Sequence, residues 1–259
     1  LVVSRRFQSG NDFASSIIQS SSHPVTLALQ KTMTTNNNDD NNGGGRPYIE
    51  LILHITRCTL EMIQQAGATL APETRDQALH ILSYALDLDE AWPLVREMIL
   101  LLAPKMELMG HRHDWMPILV RSIEESQRHS DFYAAAEYEL QHAILYRMVS
   151  DFAMAKQVAQ ASIDHFASVN DKNGEARSLN ELAWTEHIVH DYNLAEMHAG
   201  CALQFLDENA PERGMSYRVL GMVAYYRENL IDAENFHRQA LAIFEAEGNQ
   251  QKIAWTLQN

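Results

Sequence analysis

Cysteine is scarce in this sequence. Cys58 and Cys201 are the only two among 259 residues, and they are too few and too far apart for a disulfide scaffold or a thiolate metal site. Reduced thiols point to an intracellular, cytoplasmic setting. No apolar run approaches the roughly 20 residues of a membrane-spanning helix, so no membrane partner is expected. Basic residues are also short, with 20 Lys and Arg against 34 Asp and Glu and a formal charge of -14. Phosphate backbones and anionic lipid surfaces would meet net repulsion, so no direct nucleic-acid partner is expected. Alternating strand-like runs bounded by turns are missing. So are the nucleophile elbow GxSxG and the metalloprotease pattern HExxH. Gly43 to Gly45 lead into Arg46 and Pro47 with no strand before them, which makes them a linker and not a phosphate cradle.

What remains divides into two textures. Residues 1–45 are rich in Ser, Gln, Thr and Asn and end in NNNDDNNGGG. Such a tract cannot bury enough apolar surface to offset its ordering entropy, and it reads as a disordered tail. Met33, which opens MTTNNNDD, is an expected alternative start. The tail carries three basic residues (Arg5, Arg6, Lys31) and three acidic ones (Asp12, Asp39, Asp40), so residues 46–259 hold the whole negative charge.

From Arg46 onward, Ala, Leu, Glu, Gln, Met and Arg dominate, and apolar residues recur every three to four positions, which predicts helix throughout. Pro72, Pro93 and Pro117 read as first-turn prolines, where the missing N–H has no intrahelical acceptor anyway. Pro104 falls inside an apolar run and predicts a kink or a division. Breaks are expected at 109–114, 169–174, 208–214 and 247–251, and an early pair over roughly 49–65 and 72–88.

A period runs through these helices. Trp115, Phe152, Tyr192 and Leu230 open the second helix of successive pairs, 37, 40 and 38 residues apart. Three residues later come Ile118, Ala155, Ala195 and Ala233. Nine before each opener stand Met106, Ala143, Ala183 and Gly221, and ten after it Glu125, Ser162, Ala202 and Ala240. The last three units thus place small residues wherever paired helices must approach closely. The first-helix opening recurs as ARSLNEL (176–182), GMSYRVL (214–220) and AWTLQN (254–259). The last of these predicts a further repeat, begun at the final residues, whose apolar edge could support self-association.

Ala183, Tyr192, Ala195 and Ala202, and again Gly221, Leu230, Ala233 and Ala240, resemble the tetratricopeptide repeat family in its longer bacterial form of about 38–40 residues. The resemblance is clearest over 130–259. It implies an all-α fold, a right-handed superhelical solenoid of antiparallel helix pairs over residues 46–259, with a groove lined by the first helix of each pair. By that resemblance, the groove positions are Glu137, Leu140, Ile144 and Arg147, then Arg177, Asn180, Trp184 and His187, then Met215, Arg218, Met222 and Tyr225. Arg147, Arg177, Asn180, Trp184, His187, Arg218, Met222 and Tyr225 form the candidate partner-binding set, being of the kinds enriched at interface centres or able to grip a peptide backbone. Ile144, Met222 and Trp184 could equally pack against neighbouring helices. The paired Lys and Asn pattern of chaperone-binding tetratricopeptide domains is not reproduced.

Metal and catalytic readings have weaker support. His111, His113 and Asp114, and Glu186, His187, His190 and Asp191, are the best local ligand clusters, but both fall at inter-helix turns, where histidine complements the helix dipole. No cofactor and no catalysis are expected. The expected function is a scaffold that holds a protein or peptide partner, or alternatively the sensor arm of a larger signalling protein whose effector is a nucleotide switch, a transcriptional activator or a protease.

Overall fold

The computed structural model describes residues 46–258, so the tail and Met33 lie outside the described residues. All regular structure among these residues is helical: α1 (Arg46–Gln65), α2 (Pro72–Ala85), a short 3-10 turn (Asp89–Ala91), α3 (Trp92–Met109), α4 (Arg112–Arg128), α5 (Phe132–Met148), α6 (Phe152–Ser168), α7 (Lys172–Ile188), α8 (Tyr192–Phe205), α9 (Arg213–Tyr226), α10 (Leu230–Ala246) and α11 (Gln250–Leu257). Each helix packs on the next from α4 to α11, and alternate helices also touch, α5 on α7 and α7 on α9. The chain forms two compact units, one up to Lys105 and one from Met106.

In the first unit, α1 buries Ile52, Ile55, Leu60 and Ile63, and α2 buries Ala78, Ile81 and Leu82. Pro72 and Pro93 stand in the first turns of α2 and α3. One expectation about proline is narrowed and another needs correction. Pro104 does not divide α3, which continues unbroken to Met109. The lost hydrogen bond falls on an exposed position, while Val95, Met98, Ile99, Leu102 and Ala103 bury the opposite face and hold the helix together. Pro117 does not open α4, which starts five residues earlier at Arg112. Trp115 therefore lies within the first turn and is almost fully buried.

The second unit is built on one repeated turn. Ser130, Ser150, Asn170, His190 and Glu228 all have φ between 56° and 66°, and Gly248 has φ 66°. After each of these left-handed residues comes an Asp or Asn that serves two helices. Its N–H closes the preceding helix, as in Asp151 to the Tyr146 carbonyl at 2.9 Å and Asp171 to the Phe166 carbonyl at 3.0 Å. In most of these turns its side chain caps the next helix, Asp131 accepting from the Ala134 N–H at 3.0 Å, Asp151 from Met154 at 3.2 Å and Asn249 from Lys252 at 3.1 Å. Only three residues separate the helical segments at such a turn, which forces antiparallel neighbours. Asp191 makes no such side-chain cap.

Close packing then depends on small side chains. Ala143, Ala155, Ala183, Ala195, Ala202, Gly221 and Ala240 are buried where the period places them. Gly174 and Gly214 add a second device of the same sort. A Cβ on either would overlap the ring of Phe166 or Phe244, two aromatic residues fully buried two repeats apart. Ser162 ties three helices together, donating to the Ala136 carbonyl at 2.8 Å and sharing a 2.8 Å bond with the Ser178 hydroxyl.

Candidate functional site

First helices α5, α7, α9 and α11 carry the same repeat positions side by side, so each expected groove residue can be followed along a column. In the column of Glu137, the next member is Arg177, and the two form a bidentate ion pair, with Nη1 donating to Oε2 at 3.1 Å. Arg147 at the other end of α5 pairs with Glu181 of α7, Nε to Oε1 at 2.5 Å. Burial raises the Glu181 carboxyl above its usual range, with Arg147 opposing and Glu107 adding to the rise. Glu107 is itself raised by burial, against the opposing pull of Arg147 and Arg112. Arg147 and Arg177 are thus engaged within the chain.

Asn180 is also spoken for. Its amide donates to the Glu212 carbonyl at 3.2 Å, and its oxygen accepts from Ser216 at 2.7 Å. It fixes the longer connection before α9, which Arg213 also ties through the Leu203 and Leu206 carbonyls at 3.0 and 3.1 Å.

One repeat on, the same column changes character. Arg218 lies 4.2 Å from the Trp184 ring centroid and 5.7 Å from that of Trp255. Only 7% of it is exposed. Its Nε is buried without a partner, and no carboxylate or carbonyl among the described residues accepts from it. Burial, with the nearby Arg147 cation, lowers its pKa to about 10. Trp184 packs against the cluster of Ala183, Val219 and Val223 while keeping its ring over Arg218. Met222 is half-buried, and Tyr225 is 53% exposed.

His187 sits beneath this region. Its ring stacks on Trp184 at 5.5 Å and approaches Tyr192 and Tyr226 at 5.8 and 5.3 Å. Burial, assisted by His190 and Arg218, depresses its pKa to about 4, so it is neutral near pH 7. His190 bonds to the Tyr192 hydroxyl at 2.8 Å, and Glu186 is engaged by His198 at 2.7 Å. His111 lies 3.9 Å from Asp114.

Three residues of this neighbourhood do not appear in the candidate set. Glu181 neutralises Arg147, Trp255 closes the second side of Arg218, and His237 lies against Gly221 with both ring nitrogens buried and unpartnered. Column arithmetic finds Trp255, which occupies the place of Glu137 and Arg177 in its own helix. Glu181 and His237 have no such signal, because one lies a residue beyond the counted positions and the other belongs to a second helix. His237 also lines a cleft of about 340 Å³ with Tyr225, Leu230, Leu241, Thr256 and Leu257. Among the described residues, no group of three His, Cys, Asp or Glu is placed to hold a metal ion, and no helix is long and apolar enough to cross a membrane.

No protein-family model matches the chain, and no curated protein matches it either. Solved structures do. The crystal structure of BtubC (BKLC) from P. vanneervenii is similar with a TM-score of 0.58 and 15% identity, over 91% of this chain and 92% of that one. The crystal structure of the apo form of RapI is similar with a TM-score of 0.55 and 13% identity, over 95% and 91%. At such identities the likeness concerns the fold. An all-helical chain of consecutively packed pairs with these neighbours fits a tetratricopeptide-like repeat.

Proposed function

We propose that this chain is a non-enzymatic, tetratricopeptide-like interaction scaffold, which holds a peptide or partner segment against the shared face of α7, α9 and α11. The observation that carries this reading is Arg218, buried between Trp184 and Trp255 with its Nε unpartnered, beside Tyr225, which is 53% exposed. Aromatic residues and arginine provide most of the energy at interface centres because they offer large contact area with few rotors to freeze. The α5 end of the same face is closed by its own ion pairs and serves as support.

Peptide display against the immobilised intact chain tests this. Peptides selected on the native protein are expected to lose binding when Tyr225→Ala and Trp255→Ala are combined, with far-UV circular dichroism unchanged. Ile231→Ala, at a 76% exposed position on α10, is expected to leave binding intact. Peptides that ignore the double variant, or that depend on Ile231, refute the assignment.

A further inference from the structure

A buried cation normally finds an acceptor, because taking it out of water costs several kcal/mol that only a paired anion or strong hydrogen bonds return. Arg218 has none among the described residues. The contacts it does make are with the faces of Trp184 and Trp255. Stacking of this kind uses the flat face of the guanidinium and leaves its in-plane N–H donors unused. Of its nitrogens only Nε is wholly enclosed, so the two Nη groups form the edge that can still reach a ligand.

The surroundings have the same bias. The charge whose field is felt at Arg218 is that of Arg147, a second cation. His187 has an unpartnered buried Nδ1, and His237 has two unpartnered buried ring nitrogens. Burial pushes the pKa of both imidazoles down, and the Arg218 charge adds to it at each, after His190 in the case of His187. Carboxylates are plentiful in this chain of net charge -14, yet none is placed on Arg218. Such a site lacks one component, a negatively charged oxygen.

We infer that the in-plane edge of Arg218, held between Trp184 and Trp255, is the seat for one anionic oxygen group of the bound segment, a carboxylate or a phosphate. This rests on the reading of the α7, α9 and α11 face as the holding surface, and it names what that surface selects. Planar carboxylate and phosphate oxygens match the guanidinium fork, and the two indoles fix the fork's orientation before the ligand arrives. A ligand group that neutralises Arg218 also offsets the repulsion from Arg147.

The test uses the intact chain and three salts: inorganic phosphate, sodium acetate, and sodium chloride at matched ionic strength. Trp184 and Trp255 flank the site, so tryptophan fluorescence reports occupancy. A saturable change with phosphate alone identifies a phosphoryl group, and one that includes acetate identifies a carboxylate. Chloride is expected to give none. Arg218→Gln is expected to weaken the response at least about tenfold, the loss expected when one charge-assisted bidentate contact is removed. Arg218→Lys keeps the charge without the fork and is expected to fall between. If Arg218→Gln does not fold, Trp255→Ala, at a 41% exposed position, provides the second variant and is expected to weaken the response.

The inference is overturned by an absence of saturable response to both oxyanions, or by an equal response in Arg218→Gln and the native chain. Selected peptides that still need Tyr225 and Trp255 but show no preference for an acidic or phosphorylated residue would overturn it too, while leaving the scaffold reading standing. Loss of dependence on Tyr225 and Trp255 would instead count against the scaffold reading itself.

Discussion

The seam between α5 and α7 and the seam running from α7 through α9 to α11 occupy equivalent places in the repeat, yet they are chemically opposite. In the first, each long charged residue meets its complement one repeat away: Glu137 with Arg177, and Arg147 with Glu181. In the second, the places that follow Glu137 and Arg177 hold Met215 and Trp255, those that follow Arg147 and Glu181 hold His187 and Val219, and Arg218 of the neighbouring column meets aromatic faces and another cation. The fold supplies the same shelf in both. Complementarity along a column decides whether the shelf is glue or a vacant surface. Thus the eight residues expected to bind a partner separate into those the chain uses for its own assembly (Arg147, Arg177, Asn180) and a remainder centred on Trp184, Arg218 and Tyr225.

That contrast can be broken from either side. The largest expected effect is in the closed seam. Arg147→Met leaves the Glu181 carboxylate largely buried, side chain 10% exposed, without its partner, and should cost about 3 kcal/mol in chemical denaturation. Next comes a pH effect. Burial lowers His142, like His187, to about 4, against about 6.5 unfolded. Between those values the unfolded chain takes up protons that the folded chain refuses, so stability falls as pH drops from 6.5 towards 4. Glu107, Glu139 and Glu181, all raised by burial, act in the opposite sense. The readout is therefore the difference between variants: His142→Leu should lose less stability over that window than the native protein, as judged from melting temperature against pH.

A smaller and opposite change is expected in the open seam. Arg218→Met removes a buried cation with no acceptor and keeps a flexible apolar stem between the indoles, so it should stabilise the unit by about 1 kcal/mol, the desolvation cost being partly offset by lost cation–π contact. Destabilisation comparable to Arg147→Met would show that the two seams do not differ. The smallest effect concerns the repeated turn. Asp151→Ala should cost about 1 kcal/mol through loss of the cap to Met154, whereas Asp191→Ala, with no side-chain cap to lose, should cost less.

Much of the fold was legible in the sequence because its determinants are local and repeated. Small residues at Ala143, Ala183 and Gly221 mark close helix approach, and the 38–40-residue spacing of Phe152, Tyr192 and Leu230 marks helix starts that the structure places at first helical positions. The turn itself carried a sharper signal than the one used: Asp131, Asp151, Asp171 and Asp191 stand 20 residues apart, each after a left-handed residue. Proline misled at Pro117, and of the two outcomes expected at Pro104 the division does not occur. Position in the helix and burial of the opposite face outweigh the local rule at Pro104 and Pro117. The site was legible only as a set of positions. Whether Arg177 is free or paired depends on what stands 40 residues earlier, and Arg218 is enclosed by residues 34 earlier and 37 later in the chain. Residue type cannot disclose that without the alignment of columns in space.

Amide hydrogen exchange on the intact chain, with and without a display-selected peptide, addresses the scaffold reading most directly. New protection is predicted along α7, α9 and α11, around Trp184, Arg218 and Trp255, with α8 and the outer positions of α10 unchanged. Protection confined to α8 and α10, or to residues 46–105, would contradict the account.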